Sequence, residues 1–278
     1  MLSFLKRLLS PSASADPATI PESHQVYAPR KTTLYAFGDI HGQIRQLQQA
    51  IDSIVKYAED DRSAHYRSKV VFLGDYVDRG EDSRAVLDGL MRLPTIHPQI
   101  DWIFLAGNHE VVMQGFLTAP QDHLLWLEYG GCETLASYGV APPASNAHRD
   151  LMITRDAFAR ALPPAHLAFL QSMPIRHLAG DYLFVHAGLR PGIPLDRQSQ
   201  EDMQWIRGDF LEQPYWHGKC VVHGHTIEAQ PTVLPWRIGL DTGAYSGSPL
   251  SGIRLRDNQR EVLSFPCLRP FQTSAGQI

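Results

Sequence analysis

Five short polar clusters, most of them flanked by glycine, each follow an apolar run in this chain. They are Gly38-Asp39-Ile40-His41-Gly42, Gly74-Asp75-Tyr76-Val77-Asp78-Arg79-Gly80, Gly107-Asn108-His109-Glu110, His186-Ala187-Gly188 and His223-Gly224-His225-Thr226. Polar residues just beyond apolar strands lie where α/β folds place their ligand sites. Glycine lets the backbone turn sharply there and lets a ligand approach closely.

The runs between the clusters predict what holds them. Thr33 to Phe37, Val70 to Leu73 and Trp102 to Leu105 read as buried strands. Between them, Ile44, Leu47, Ile51, Ile54 and Val55 recur at helical spacing, and Val86, Leu87, Leu90 and Met91 mark a second helix. Residues 115–175 read as mainly helical. Thr154 is a candidate N-cap, and Pro163-Pro164 suits the opening of a further helix. Strands return at Tyr182–Val185, Cys220–Val222, Arg237–Leu240, Gly252–Leu255 and Glu261–Phe265, closely enough spaced to suggest an antiparallel portion of sheet. The fold class expected is α/β: one domain with two sheets, flanked by helices.

The first thirty residues differ in character. Leu2, Phe4, Leu5, Leu8 and Leu9 surround Lys6 and Arg7, and a signal peptide carries its basic residues before its apolar run instead. A mobile terminus is the simplest expectation, with a short amphipathic contact helix as the alternative. Pro11, Pro17, Pro21 and Pro29 lie in a linker-like composition. We therefore expect a flexible N-terminal segment over 1–30 and one domain over 31–278.

Composition narrows the partners. The net charge of -4 offers no footprint for nucleic acid. Cys132, Cys220 and Cys267 are odd in number and far apart, which fits a reducing compartment and a cytoplasmic location. No apolar run approaches the ~20 residues that span a bilayer, so no stable membrane insertion is expected.

Taken singly, each cluster has an ordinary explanation. Asp39 can open a helix, Asp75 and Asp78 can be turn carboxylates, and His186 can be a hydrogen-bonded core residue. Together they place carboxylates, an amide and imidazoles at five strand ends. Gathering that many desolvated charges is costly without a counter-charge. Divalent cations resolve that cost, and mixed carboxylate and imidazole donors suit a borderline metal.

The clusters GDIHG, GDYVDRG and GNHE, followed by the downstream histidines, resemble the calcineurin-like metallophosphoesterase superfamily. More narrowly, they resemble its phosphoprotein phosphatase branch, which acts on serine and threonine phosphoesters. HAGLRPG, WIRGDF, HGHT and LDTGA look like the bacterial members, and the resemblance runs from about residue 33 to 256. It implies a metallophosphoesterase catalytic domain with two divalent metal ions. Asp39 and His41 would hold the first, Asp75 would bridge both, and Asn108, His186 and His225 would complete the second. The resemblance suggests manganese; the donor set also admits iron or zinc. A hydroxide shared by the two metals would attack phosphorus. His109 would protonate the leaving oxygen with Asp78 as its partner, and Arg79 and Arg207 would bind the phosphoryl group. Arg190 is a weaker candidate. His223 is not expected to be a ligand.

The activity expected is therefore a protein serine/threonine phosphatase, acting on a phosphoprotein or a phosphorylated small molecule. The alternative is a symmetrical bis(5'-nucleosyl)-tetraphosphate hydrolase, whose second motif typically lacks a match to Asp78. A nucleic-acid phosphodiesterase usually carries a second histidine in G-H-x-H, where this chain has Ile227. A non-catalytic scaffold of the same fold would have lost a position from the motif set, and none is lost.

Overall fold

In strand β1 (Thr32–Phe37), Leu34 and Ala36 face one way while Tyr35 and Phe37 face the other, and all four are buried. Strand β2 (Arg67–Phe72) repeats this, with Val71 on one side and Val70 and Phe72 on the other. A strand apolar on both faces must be covered on both. One face here meets helices and the other meets a second sheet. The computed structural model describes residues 25–267. The amphipathic N-terminal stretch and most of the linker-like segment lie outside the described residues.

The first sheet has the order β10-β9-β1-β2-β3, completed by β3 (Ile100–Phe104), β9 (Leu250–Arg256) and β10 (Gln259–Phe265). Strands β1, β2 and β3 run parallel, and β9 and β10 add an antiparallel edge. The crossovers are helices α1 (Ile44–Ser63) and α2 (Ser83–Ile96), which bury Leu47, Ile51, Ile54, Val86, Leu87 and Leu90 against this sheet. Further helices α3 (Asn108–Thr118), α4 (Cys132–Ser137), α5 (His148–Ala161) and α6 (Pro164–Ser172) extend the same core. Pro164 occupies the first turn of α6, as its sequence suggests. Thr154 is no N-cap: it is buried in the middle of α5, which starts six residues earlier at His148.

The second sheet has the order β4-β5-β6-β8-β7, with β4 (Arg176–Ala179), β5 (Tyr182–Val185), β6 (Cys220–His223), β7 (Thr232–Val233) and β8 (Arg237–Gly239). Tyr182, Phe184, Cys220, Val222, Ile238 and Leu240 point inward to meet Leu34, Ala36, Val71, Leu73, Leu105, Ile253 and Leu255. On its outer face, Leu183, Val185 and Val221 pack under α7 (Gln200–Trp205) and α8 (Gly208–Glu212) through Met203 and Phe210. The expected α/β arrangement of two sheets with flanking helices is therefore present.

The expectation of an antiparallel C-terminal portion holds for β9 and β10 but not for the middle of the second sheet. The central strands β5, β6 and β8 are parallel, and only the edges β4 and β7 run antiparallel. The connection from β5 to β6 carries α7 and α8, a crossover of the kind that parallel strands require.

The start of the described chain is packed. Val26 and Ala28 are buried between the sheets, and Tyr27 and Ala28 hydrogen-bond to Asp181 and Asp257. Residues 25–30 thus belong to the folded body, although the sequence placed them at the end of the linker. Among the described residues no helix is long and apolar enough to cross a membrane.

Candidate metal centre and active site

All five clusters converge at one end of the two sheets, and backbone hydrogen bonds fasten the first to the second and the fourth to the fifth. The N–H groups of Ile40 and His41 donate to the carbonyl of Asp75 at 3.0 and 2.8 Å, and that of Gly42 to Tyr76 at 2.9 Å. The Gly224 N–H donates to the carbonyl of His186 at 2.8 Å. The turns are strained. Eight non-glycine residues among those described have positive φ, and His41, Asp75, Asp78, Arg79 and His225 are five of them. Left-handed backbone at non-glycine residues is uncommon and concentrates at functional sites. His41, with φ 44°, sits on such a left-handed turn and not on an extended segment.

Asp75 is the hub. Its Oδ2 lies 3.6 Å from His41 Nε2 and 3.9 Å from His109 Nε2, and its Oδ1 lies 3.4 Å from His186 Nε2. Among the described residues, two buried groups of side chains have ligand atoms close enough to hold an ion. One is His41, Asp75 and His109, and the other is Asp75, His186 and His225. Asp75 belongs to both. Burial pushes its carboxyl up, but the imidazoles of His186, His109 and His41 outweigh that and hold it well below the usual range. Asn108 Oδ1 lies 2.8 Å from His186 Nε2, which puts the amide beside the second group. Asp39 is in neither group. Its two oxygens accept the His225 backbone N–H at 3.1 Å, and its carboxyl shares a hydrogen bond with the buried Asp241. Burial, then Asp241 and Asp75, push Asp39 well above the usual carboxylate range.

These donors suit divalent cations. Among the described residues His225 Nε2 is buried with no hydrogen-bond partner. Burial, with the charges of His186 and Arg207, pulls that ring down to about 2, so it is neutral with a free lone pair. Burial likewise pulls His41 down to about 3. Its Nδ1 lies 2.7 Å from the carbonyl of Val77, which fixes the ring and leaves Nε2 toward Asp75. A neutral imidazole oriented through its other nitrogen is how histidine usually meets a metal.

His109 is arranged differently. Its Nδ1 lies 2.7 Å from Asp78 Oδ2. Burial disfavours the charged ring, but Asp75 and Asp78 outweigh it and hold His109 above its ordinary value. Arg79 Nη2 lies 3.2 Å from His109 Nε2, and the Arg79 guanidinium stacks over the Tyr245 ring, 4.7 Å from its centroid. Arg207 is exposed on the side of His225, with Nη1 3.4 Å from Thr226 Oγ1. Arg190 is paired with Asp202 and Asp209. His223 is buried beneath its loop. Its Nδ1 lies 3.0 Å from the Gly224 carbonyl, its Nε2 3.3 Å from Arg237 Nη1, and its ring meets the edge of Phe210.

Residues 32–241 match the family described as calcineurin-like phosphoesterase. The chain belongs to that family. Its members depend on two metal ions and hydrolyse phosphoesters, so this chain is a metal-dependent phosphoester hydrolase. Among curated calcineurin-like relatives, the asymmetrical bis(5'-nucleosyl)-tetraphosphatase PrpE of Bacillus cereus (strain AH187) is 25% identical over 252 residues, covering 84% of this chain and 94% of the relative. The enzyme of the same name from Bacillus thuringiensis subsp. konkukian matches to the same extent. A crystal structure assigned as a diadenosine tetraphosphatase superposes with a TM-score of 0.57 at 19% identity, covering 87% of this chain and 98% of the other. A serine/threonine phosphatase from Saccharomyces cerevisiae superposes with a TM-score of 0.50 at 16% identity, covering 87% of this chain and 82% of the other. At these identities the two structures share the calcineurin-like fold.

Three residues in contact with the centre had no role in the sequence reading. Glu110 accepts the N–H groups of Asp75, Tyr76 and Gly107 at 2.9, 2.7 and 2.9 Å, bracing the second and third clusters together. Asp241 lies in LDTGA and Glu110 in GNHE, so both stood inside quoted motifs. Tyr245 carries no signal beyond following LDTGA, because its contacts with Arg79 and His41 depend on long-range packing.

Proposed function

We propose that this chain hydrolyses phosphomonoesters of alcohols, as a protein serine/threonine phosphatase of the cytoplasm using manganese. Asp39, His41 and Asp75 would hold one cation, and Asp75, Asn108, His186 and His225 the other. Bound there, two divalent cations supply Lewis acidity toward phosphoryl oxygens and lower the pKa of water.

The chain's own residues supply the rest. Arg79 and Arg207 would bind the phosphoryl oxygens, since a guanidinium meets phosphate through paired donors. Arginine only donates, so with Arg79 against Nε2 the proton of a neutral His109 sits on Nδ1, toward Asp78. A phosphoryl group that draws Arg79 onto its oxygens would uncover Nε2, which then takes up a proton from solvent because Asp75 and Asp78 favour the charged ring. That nitrogen faces the same centre as His41 and Asp75, within reach of a leaving oxygen.

The observation that carries this proposal is the buried His109–Asp78 contact of 2.7 Å. A built proton donor is most useful when the leaving group is a poor one, such as the alkoxide of serine or threonine. A nucleotide leaving from a polyphosphate is already a stable anion and needs a donor less.

A second activity, hydrolysis of a bis(5'-nucleosyl)-tetraphosphate, is favoured by one specific finding. The relatives carrying that name match over most of both chains. They are named as asymmetrical hydrolases, whereas the sequence alone suggested the symmetrical kind. Rates on a phosphoserine peptide and on diadenosine tetraphosphate, from one preparation with manganese, separate the two. A higher kcat/KM on the peptide is expected. A preference for the dinucleotide overturns the phosphatase assignment and installs the second.

A further inference from the structure

Asp78 is enclosed by donors that none of the five clusters supplies. Trp126 Nε1–H donates to Oδ2 at 2.9 Å, the same oxygen that meets His109. Thr134 Oγ1–H donates to Oδ1 at 2.6 Å. Thr134 Oγ1 also accepts the backbone N–H of Asp78 at 2.8 Å, an N–H that Ser83 Oγ accepts as well at 3.0 Å. The next N–H, of Arg79, donates to the Gly130 carbonyl at 3.2 Å. Three residues between 126 and 134 thus hold a turn whose φ angles are 73° and 66° at Asp78 and Arg79. Asp78, Trp126 and Thr134 are all buried.

We propose that Trp126 and Thr134 are positioning residues for proton donation by His109. They lock the Asp78 carboxylate so that Oδ2 alone serves the ring, and the ring is thereby aimed at the leaving oxygen. This rests on His109 acting as the donor in the proposed phosphomonoester reaction. A carboxylate with only one fixed oxygen can rotate, and the imidazole it orients follows. Misplacing a reacting group by about 1 Å can cost on the order of a hundredfold. The two donors are neutral, so they satisfy the buried carboxylate without adding a charge that would compete for it.

A packing role is the contrary explanation for Trp126, whose ring centroid lies 4.7 Å from that of Phe116 and 5.8 Å from that of Phe158. Packing alone predicts the same loss on every substrate. Positioning of a proton donor predicts a loss concentrated on substrates that need the proton. It also predicts that the loss disappears once His109 is gone, because residues acting as a unit are not additive.

The experiment uses the full chain with manganese and two substrates, a phosphoserine peptide and p-nitrophenyl phosphate. Thr134→Val, Thr134→Ser and Trp126→Phe are measured alone, and Thr134→Val and Trp126→Phe also in the His109→Asn background. Thr134→Val and Trp126→Phe should each lower kcat on the peptide about tenfold, a fraction of the roughly 10²–10⁴ that a positioned donor contributes. The loss on the aryl ester should be several-fold smaller. Thr134→Ser, which keeps the hydroxyl, should restore the peptide rate. Neither variant should lower kcat further when His109 is already Asn. Equal losses on both substrates, or full additivity with His109→Asn, overturn the proposal. If His109→Asn itself slows both substrates equally, the underlying assignment of the donor fails instead. Should Thr134→Val not fold, Trp126→Phe decides the same question through the same cycle.

Discussion

The backbone N–H of His225 donates to both carboxylate oxygens of Asp39, 186 residues away, at 3.1 Å each. The first and fifth clusters are therefore joined directly, across the two sheets that carry them. Asp39→Ala removes this brace as well as a proposed ligand. Manganese affinity should fall at both positions, because His225 loses its anchor along with Asp39. A loss of roughly ten- to a hundredfold is typical when the support of a metal ligand is removed. Titration calorimetry checks it: a weakened first site beside an untouched second would show that the brace carries nothing.

Asp75 lies in both groups able to hold an ion, so its substitution should disable both. Asp75→Asn keeps the shape but removes the charge that faces His41, His109 and His186. Turnover should drop more than about a hundredfold, beyond the usual cost of losing a supporting residue. Metal content after dialysis should fall from two ions per chain toward none. Near wild-type rates with full metal content would remove Asp75 from the bridging position.

His109→Asn leaves the six proposed ligands in place and removes the proposed proton donor. The rate on an alkyl phosphoester should fall by about 10²–10⁴, the range of a positioned acid. The rate on an aryl ester should fall far less, since a phenolate leaves without help. A plot of rate against leaving-group pKa should steepen in the variant. An unchanged slope would mean that His109 serves some other purpose, such as binding.

Much of this centre was legible in the sequence because its parts are local. A strand ending in Gly-Asp or Gly-Asn announces itself within five residues, and β1, β2, β5 and β6 fall where the apolar runs lie. What stayed hidden depends on distant partners. Strands β4 and β7 escaped because they are short edge strands with little apolar content: Arg176-His177-Leu178-Ala179 and Thr232-Val233. The parallel order of β5, β6 and β8 was obscured because the crossover helices between β5 and β6 span only six and five residues. Trp126 and Thr134 look like ordinary helix residues until the fold brings them to Asp78. Asp241 needed Asp39 beside it to have any meaning.

Gly74 shows how closely the clusters are fitted. Its φ is 108°, and a Cβ there would stand 2.5 Å from the backbone nitrogen of Gly107. The second and third clusters could not then keep their spacing. Gly74→Ala should destabilise the chain by about 3 kcal/mol, combining left-handed backbone strain with an overpacked contact. A denaturant melt measures this, and a change below about 1 kcal/mol would show that the turn can relax more freely than its contacts suggest.

Stability should also carry a signature of His217, which lies outside the centre. Burial pulls its imidazole down to about 4 from an ordinary 6.5, with only a backbone contact at Ile193 opposing. Between those two values the unfolded chain binds a proton that the folded chain refuses. By linkage, stability then rises with pH through this window. The contribution is complete above about 6.5 and is lost as pH falls toward about 4. His217→Gln keeps a polar side chain but cannot take up that proton. The drop in Tm from pH 7.5 to pH 5 should be smaller in His217→Gln than in the wild type. All other titrating groups are common to both chains, so their effects cancel in the comparison. Identical drops would mean that the ring becomes protonated in the folded state as readily as in the unfolded one.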